Sequence, residues 1–165
     1  MKERPALPPA PYLVVGLARS GLAAAAMLRP HGEVIGVDSG QPSEPIEGFE
    51  AHTATEGLAL LDRAATLVKS PGVPPTAPVV AAARERAIPV LGELELAWRL
   101  LPNPFVAVTG TNGKTTTVGL LGEIHRAAGI PVALAGNVGT ALGSLVGRLD
   151  PEDVVVCECS SFQLE

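Results

Sequence analysis

Hydrophobic positions along the chain gather in short β-branched runs, with alanine- or leucine-rich stretches between them. That alternation is the pattern of βαβ units building parallel sheets. The first run, YLVV at Tyr12–Val15, reads as a buried strand feeding the turn GLARSG, and residues 20–29 read as an alanine-rich helix. A second strand is predicted over 34–38, ending in a polar loop that carries prolines. FEAHTA shows neither period and stays unassigned, ahead of a short leucine-rich helix near 58–61. A strand at Thr66–Lys69 closed by SPGVPP, a helix over 78–87 and a strand over 89–91 complete this half. GELELAWRLL then reads as a helix stopped by Pro102 and Pro104, and serves as the bridge between two domains. The same alternation restarts beyond it. Strands are predicted over 105–109, 132–135 and 154–159, with helices over 115–128 and near 140–146. The fold class is therefore α/β with parallel sheets, divided into residues 1–92 and 93–165.

Composition narrows the function classes. Apolar residues make up 47% of the 165 positions and charged residues 18%, enough for a buried core and against wholesale disorder. Twelve basic against seventeen acidic residues give a net charge of −5 with no basic block, which argues against a grip on nucleic acid. The aromatics are Tyr12, Phe49, Trp98, Phe105 and Phe162, too few for a base-stacking platform. The opening MKERPALPPAPYLVVGLARSG is broken by prolines and runs into a glycine turn, so neither a signal peptide nor a membrane span is expected. Cys157 and Cys159 are read as buried apolar thiols on one face of a strand rather than a disulfide or metal pair. A reduced, cytoplasmic protein is the expectation.

The strongest chemical signal is VAVTGTNGKTTT, in which a strand delivers a glycine-rich loop into a helix start. Backbone N–H groups of such a loop, with a helix N-terminus behind them, form a concave anion site. Lys114 would add charge at the β/γ-phosphates of a nucleotide, and the Thr115 hydroxyl would ligate Mg²⁺. The general pattern GxxxxGK[ST] asks for glycine at 108, where this chain has Val108. Glu158 stands in the apolar run VVVCECSS. It reads either as a Mg²⁺ ligand beside the phosphate loop or as the solvent-facing residue of a half-exposed strand, and spacing alone leaves the two equal. GLARSG resembles GxGxxG with Ala18 at the middle glycine, and Asp38 follows Gly16 by 22 positions, where a ribose-binding acid would sit. A nucleotide loop and a ligand-free βα turn explain these residues equally well. Asn137, in GNVG, would donate to a substrate or simply hold its turn.

Together TGTNGKTTT, GLARSG, Asp38, SPGVP, ELELAWRLLP, GNVGTAL and ECSSFQLE resemble the Mur ligases, in order and over essentially the whole chain. That family also lacks the first Walker glycine, which accommodates Val108, and the SSFQLE ending is similar to its D-glutamate-adding branch. The resemblance implies a Rossmann-like domain over 1–92 that holds a uridine nucleotide through Leu17, Ala18, Arg19, Ser20, Asp38, Ser39 and Gly72. It implies a linker helix and the first part of a P-loop-type ATP-binding domain over 93–165. There Gly110, Thr111, Asn112, Gly113, Lys114, Thr115 and Thr116 form the ATP loop, Lys114 and Glu158 are catalytic, and Thr115 and Glu158 hold Mg²⁺. Asn137 and Ser160 fall near the muramoyl-alanine end of the substrate. The implied reaction activates the carboxylate of UDP-N-acetylmuramoyl-L-alanine as an acyl phosphate at the expense of ATP. The amine of D-glutamate then displaces phosphate, a step of peptidoglycan precursor synthesis carried out by a cytoplasmic monomer.

The last predicted strand has no helix after it, so the chain is expected to be an amino-terminal portion. It would lack the second-metal ligands and the D-glutamate domain, and would bind nucleotide without ligating. A non-catalytic nucleotide-binding module and another ligase of the Mur or folylpolyglutamate type are the alternatives. A small P-loop kinase is disfavoured by Val108.

Overall fold

The computed structural model describes residues 4–41, 46–136 and 140–163. It forms two compact units: Ala6–Leu96, and Ala97–Glu165 together with Met1–Pro5.

The first unit is built on a five-stranded parallel sheet of β1 (Tyr12–Val15), β2 (Val34–Val37), β3 (Glu50–His52), β4 (Thr66–Lys69) and β5 (Val90–Gly92), in the order β3-β2-β1-β4-β5. β1 and β2 are buried along their whole length, which accounts for their continuous apolar runs. Helix α1 (Arg19–Leu28) packs on β1 and β2, and Ala24, Ala25 and Leu28 are fully buried. Helix α2 (Pro78–Glu85) places Val79, Val80 and Ala83 in a core with Leu13, Val15, Ile35, Val37 and Leu67. Strand order reverses between β1 and β4, so the loops after those two strands flank the position where α/β sheets open a crevice. The unassigned FEAHTA holds the short edge strand β3. Asp38 lies one residue past β2 rather than inside it, and the segment near Leu58 is a 3-10 stretch, Leu58–Arg63.

Helix α3 (Glu93–Leu100) contains the division between the units. The second unit carries a three-stranded parallel sheet of β6 (Phe105–Val108), β7 (Val132–Gly136) and β8 (Val154–Glu158), in the order β6-β8-β7. The central strand is the most deeply buried, with Val155, Val156 and Cys157 at 0% exposure. Helix α4 (Lys114–Ala127) packs against all three strands. A predicted helix over 140–146 is instead a 3-10 stretch, Leu142–Leu145. Buried Asn103 donates to the carbonyls of Asp150 (2.7 Å) and Asp153 (3.1 Å), fixing the approach to β8. Arg4 donates to the carbonyls of Trp98 and Asn103 and lies over the rings of Trp98 and Phe105.

Candidate active site

In the second unit, β6 ends at Val108 and the loop from Gly110 leads into α4, whose first residue is Lys114. Gly113 caps the helix in a left-handed conformation (φ +77°) with no side-chain cap. The first-turn N–H groups of α4 therefore rely on partners outside the helix. The Lys114 ammonium folds back over the loop and donates to the carbonyls of Gly110 (2.8 Å) and Thr111 (3.5 Å). Thr111, Asn112, Gly113 and Thr116 are exposed around it.

β8 sits between β6 and β7, with Glu158 in register with both Val108 and Gly136. The Glu158 side chain is buried, 4% exposed, and its Oε2 accepts a 2.7 Å hydrogen bond from the Thr115 hydroxyl. A half-exposed strand presenting Glu158 to solvent is thereby overturned. The carboxylate turns inward, to the first turn of α4, which packs on β8. Gly136 lets β7 pair closely beside Glu158, since a Cβ there would meet the Glu158 carbonyl oxygen at 2.1 Å. Two residues on, the Ser160 hydroxyl and N–H each donate to Gln163 Oε1 at 2.9 Å. Asn137 lies outside the described residues. Cys157 and Cys159 are buried thiols with no disulfide between them, as their apolar setting suggested.

In the first unit, the Asp38 carboxylate accepts from the N–H of Leu17 (2.6 Å) and of Gly40 (2.8 Å). One side chain thus ties the loop after β1 to the loop after β2. Ser70 reaches the same loop from β4, its hydroxyl donating to the Gly16 carbonyl at 2.6 Å. Gly21 passes so close that a Cβ would stand 1.7 Å from the Gly16 carbonyl oxygen. The third-glycine position of the GxGxxG-like turn is therefore fixed by helix–loop packing. Ala18, Arg19, Ser39 and Gly72 are exposed, while Ser20 and Asp38 are half-buried and Leu17 is buried. Leu17 and Asp38 are brought into direct contact, and Gly16 and Ser70 join them through backbone. Arg19, Ser39 and Gly72 remain exposed outside that cluster.

The chain is 46% identical, over 93% of its length, to a UDP-N-acetylmuramoylalanine–D-glutamate ligase of Pelotomaculum thermopropionicum. It is 40% identical over 92% of its length to the ligase of the same name from Streptococcus mutans. The chain belongs to the Mur ligase family. It spans 36% of the length of each of these two relatives. No protein-family model matches the chain. Among solved structures it is similar to a UDP-N-acetylmuramate:L-alanyl-γ-D-glutamyl-meso-diaminopimelate ligase from Neisseria meningitides. That likeness has 21% identity and a TM-score of 0.49, covering 88% of this chain and 51% of the other.

In this Mur ligase chain, the oxygens of Thr115 and Glu158 are the donors suited to a magnesium ion. Mg²⁺ prefers oxygen ligands, takes only one or two from carboxylates and keeps several waters or phosphate oxygens. A hydroxyl beside a single buried carboxylate fits that demand. Among the described residues no group of three or more His, Cys, Asp or Glu converges, which is the arrangement an all-protein cage would need. The family resemblance already names Thr115 and Glu158 together as the Mg²⁺ pair, and the structure brings their side chains into contact. Sequence reasoning missed Gly136 and Gln163, the residues that seat Glu158 and Ser160. GNVG reads as an ordinary turn, and the partner of Gly136 lies 22 positions away in β8.

Proposed function

We propose that this chain supplies the nucleotide-binding machinery of an ATP-dependent ligase that adds D-glutamate to UDP-N-acetylmuramoyl-L-alanine in peptidoglycan precursor synthesis. The observation that carries the reading is the Thr115–Glu158 hydrogen bond behind the glycine loop. It joins a hydroxyl and a carboxylate at the start of a helix whose N-terminus favours anions. The ligase activity of the two relatives, as their names give it, agrees with that chemistry. Ligation, its substrates and a cytoplasmic setting are proposed for the whole ligase, and nucleotide binding for these residues. Among the described residues no helix is long and apolar enough to cross a membrane.

The roles follow from chemistry. Loop N–H groups from Gly110 to Lys114 would cradle the phosphates of ATP. Lys114 would leave the Gly110 carbonyl for the β/γ-phosphates, where its charge offsets the approach of a carboxylate to a polyanion. Thr115 and Glu158 would hold Mg²⁺, which when bound supplies further neutralisation of phosphate charge. In the first unit, Leu17, Ala18, Arg19, Ser20, Asp38, Ser39 and Gly72 would receive the uridine nucleotide. Asn137 and Ser160 would face the muramoyl-alanine end.

The test is calorimetric titration of the chain with Mg-ATP and, separately, with UDP. Lys114→Ala is expected to weaken Mg-ATP binding at least about tenfold, the loss of one charge-assisted contact. UDP binding should stay within error of the unmodified chain. Loss of both ligands in a folded variant overturns the assignment of two separate nucleotide sites. Failure of the unmodified chain to bind either nucleotide overturns the reading itself.

A further inference from the structure

Residues 160–163 follow directly on the strand that carries Glu158, and their geometry fixes more than the position of Ser160. The Ser160 backbone N–H and hydroxyl both lie 2.9 Å from the same side-chain atom of Gln163, and the Gln163 N–H returns to the Ser160 carbonyl at 3.0 Å. A backbone N–H can only donate. The Gln163 atom facing it is therefore the amide oxygen, which has no proton to give. The hydroxyl 2.9 Å from that oxygen must accordingly donate as well. The Ser160 proton is committed, and what Oγ has left to offer is lone pairs.

We infer that Gln163 is a positioning residue that makes Ser160 a hydrogen-bond acceptor, directed at an N–H donor of the substrate. This rests on the proposal that Ser160 faces the muramoyl-alanine end of UDP-N-acetylmuramoyl-L-alanine. A hydroxyl held in this way repels carboxylate and phosphoryl oxygens, which are acceptors themselves. It favours the amide N–H that joins the lactoyl group to L-alanine. Gln163 thus sorts the neutral amide from the two anionic groups of the same ligand.

The experiment compares two ligands of the same chain: UDP-N-acetylmuramoyl-L-alanine and its ester analogue, in which L-lactate replaces L-alanine so that an oxygen stands where the N–H was. The unmodified chain is expected to bind the amide about tenfold more tightly, the gain from one hydrogen bond of ordinary strength. Ser160→Ala and Gln163→Leu should each erase that preference, and combining them should add nothing further. Gln163→Glu keeps an acceptor oxygen in place and should retain the preference, which a merely structural role for Gln163 does not require. Equal binding of amide and ester by the unmodified chain overturns the inference and leaves the ligase reading intact. A preference that survives Gln163→Leu overturns it too. Binding of neither ligand overturns the ligase reading, and the inference with it.

Discussion

A methyl group at position 136 would stand 2.1 Å from the Glu158 carbonyl oxygen and 2.6 Å from its nitrogen, and the glycine itself has φ +130°. Backbone of the central strand cannot yield as a flexible side chain would, so Gly136→Ala must push β7 away from β8. Overpacking of this kind costs about 1–3 kcal/mol or more. The variant should therefore show a lower urea midpoint together with weaker Mg-ATP binding, because Glu158 moves with its strand. An unchanged midpoint would show that the sheet absorbs the methyl. Ala87 makes the opposite case. It follows α2 with φ +57°, while its N–H and that of Ile88 bond the carbonyls of Arg84 and Ala83, the pattern of a helix end that prefers glycine. Ala87→Gly relieves left-handed strain of about 1–2 kcal/mol and gives back part of it as chain entropy, leaving a stabilisation of about 0.5–1 kcal/mol. A thermal melt that fails to rise would contradict this. Neither position is legible in the sequence, since each depends on a backbone path set by residues elsewhere.

At the scale of elements, the buried strands are the most readable features. YLVV, the Leu67–Val68 centre of TLVK and the Val155–Cys157 run of VVVCE are apolar and buried, and all three strands appear within a residue of where the pattern places them. β3 escapes the same reading because an edge strand of three residues, Glu50–His52, has one neighbour and no need of an apolar face. Its polar residues work sideways instead. Both Glu50 oxygens accept from Arg63 in a two-pronged pair (2.6 and 2.7 Å), and His52 joins at 2.6 Å. Hydrogen bonding to Arg63 first, and to His52 second, pushes the Glu50 carboxyl down from 4.5 to about 2. A carboxyl lowered on folding contributes stability that is present above its unfolded value and is lost as pH falls through the folded one. The contribution of Glu50 should thus disappear between about pH 4.5 and pH 2. NMR titration of the Glu50 carboxyl should show this midpoint returning toward 4.5 in Arg63→Met. A midpoint unmoved by that substitution would assign the shift to another cause. The Thr115–Glu158 pair shows what the resemblance adds to spacing. Its members are 43 positions apart, the resemblance names them as one metal pair, and the sheet order is what brings the two side chains into hydrogen-bond contact.

Taken whole, the molecule is two α/β units joined at α3, and its chain passes between them a second time near Pro5. The alternation of apolar runs made the α/β class readable, and the resemblance in sequence made the order of motifs readable. The internal links of each unit, such as Arg4 over Trp98 or Asp38 across two loops, come from packing. The order β6-β8-β7 also governs how the second unit can be born. β6 and β7 never pair with each other; both wait for β8, so Phe105 meets Val155 and Val132 meets Val154 only once that late segment has been synthesised. Parallel pairings between such distant partners form slowly, because loop closure must precede any reward. Until β8 has emerged from the ribosome, β6 and β7 have no shared sheet to nucleate on. The strand that joins β6 to β7 is also the strand that carries Glu158, so this pairing and the candidate metal ligand form together.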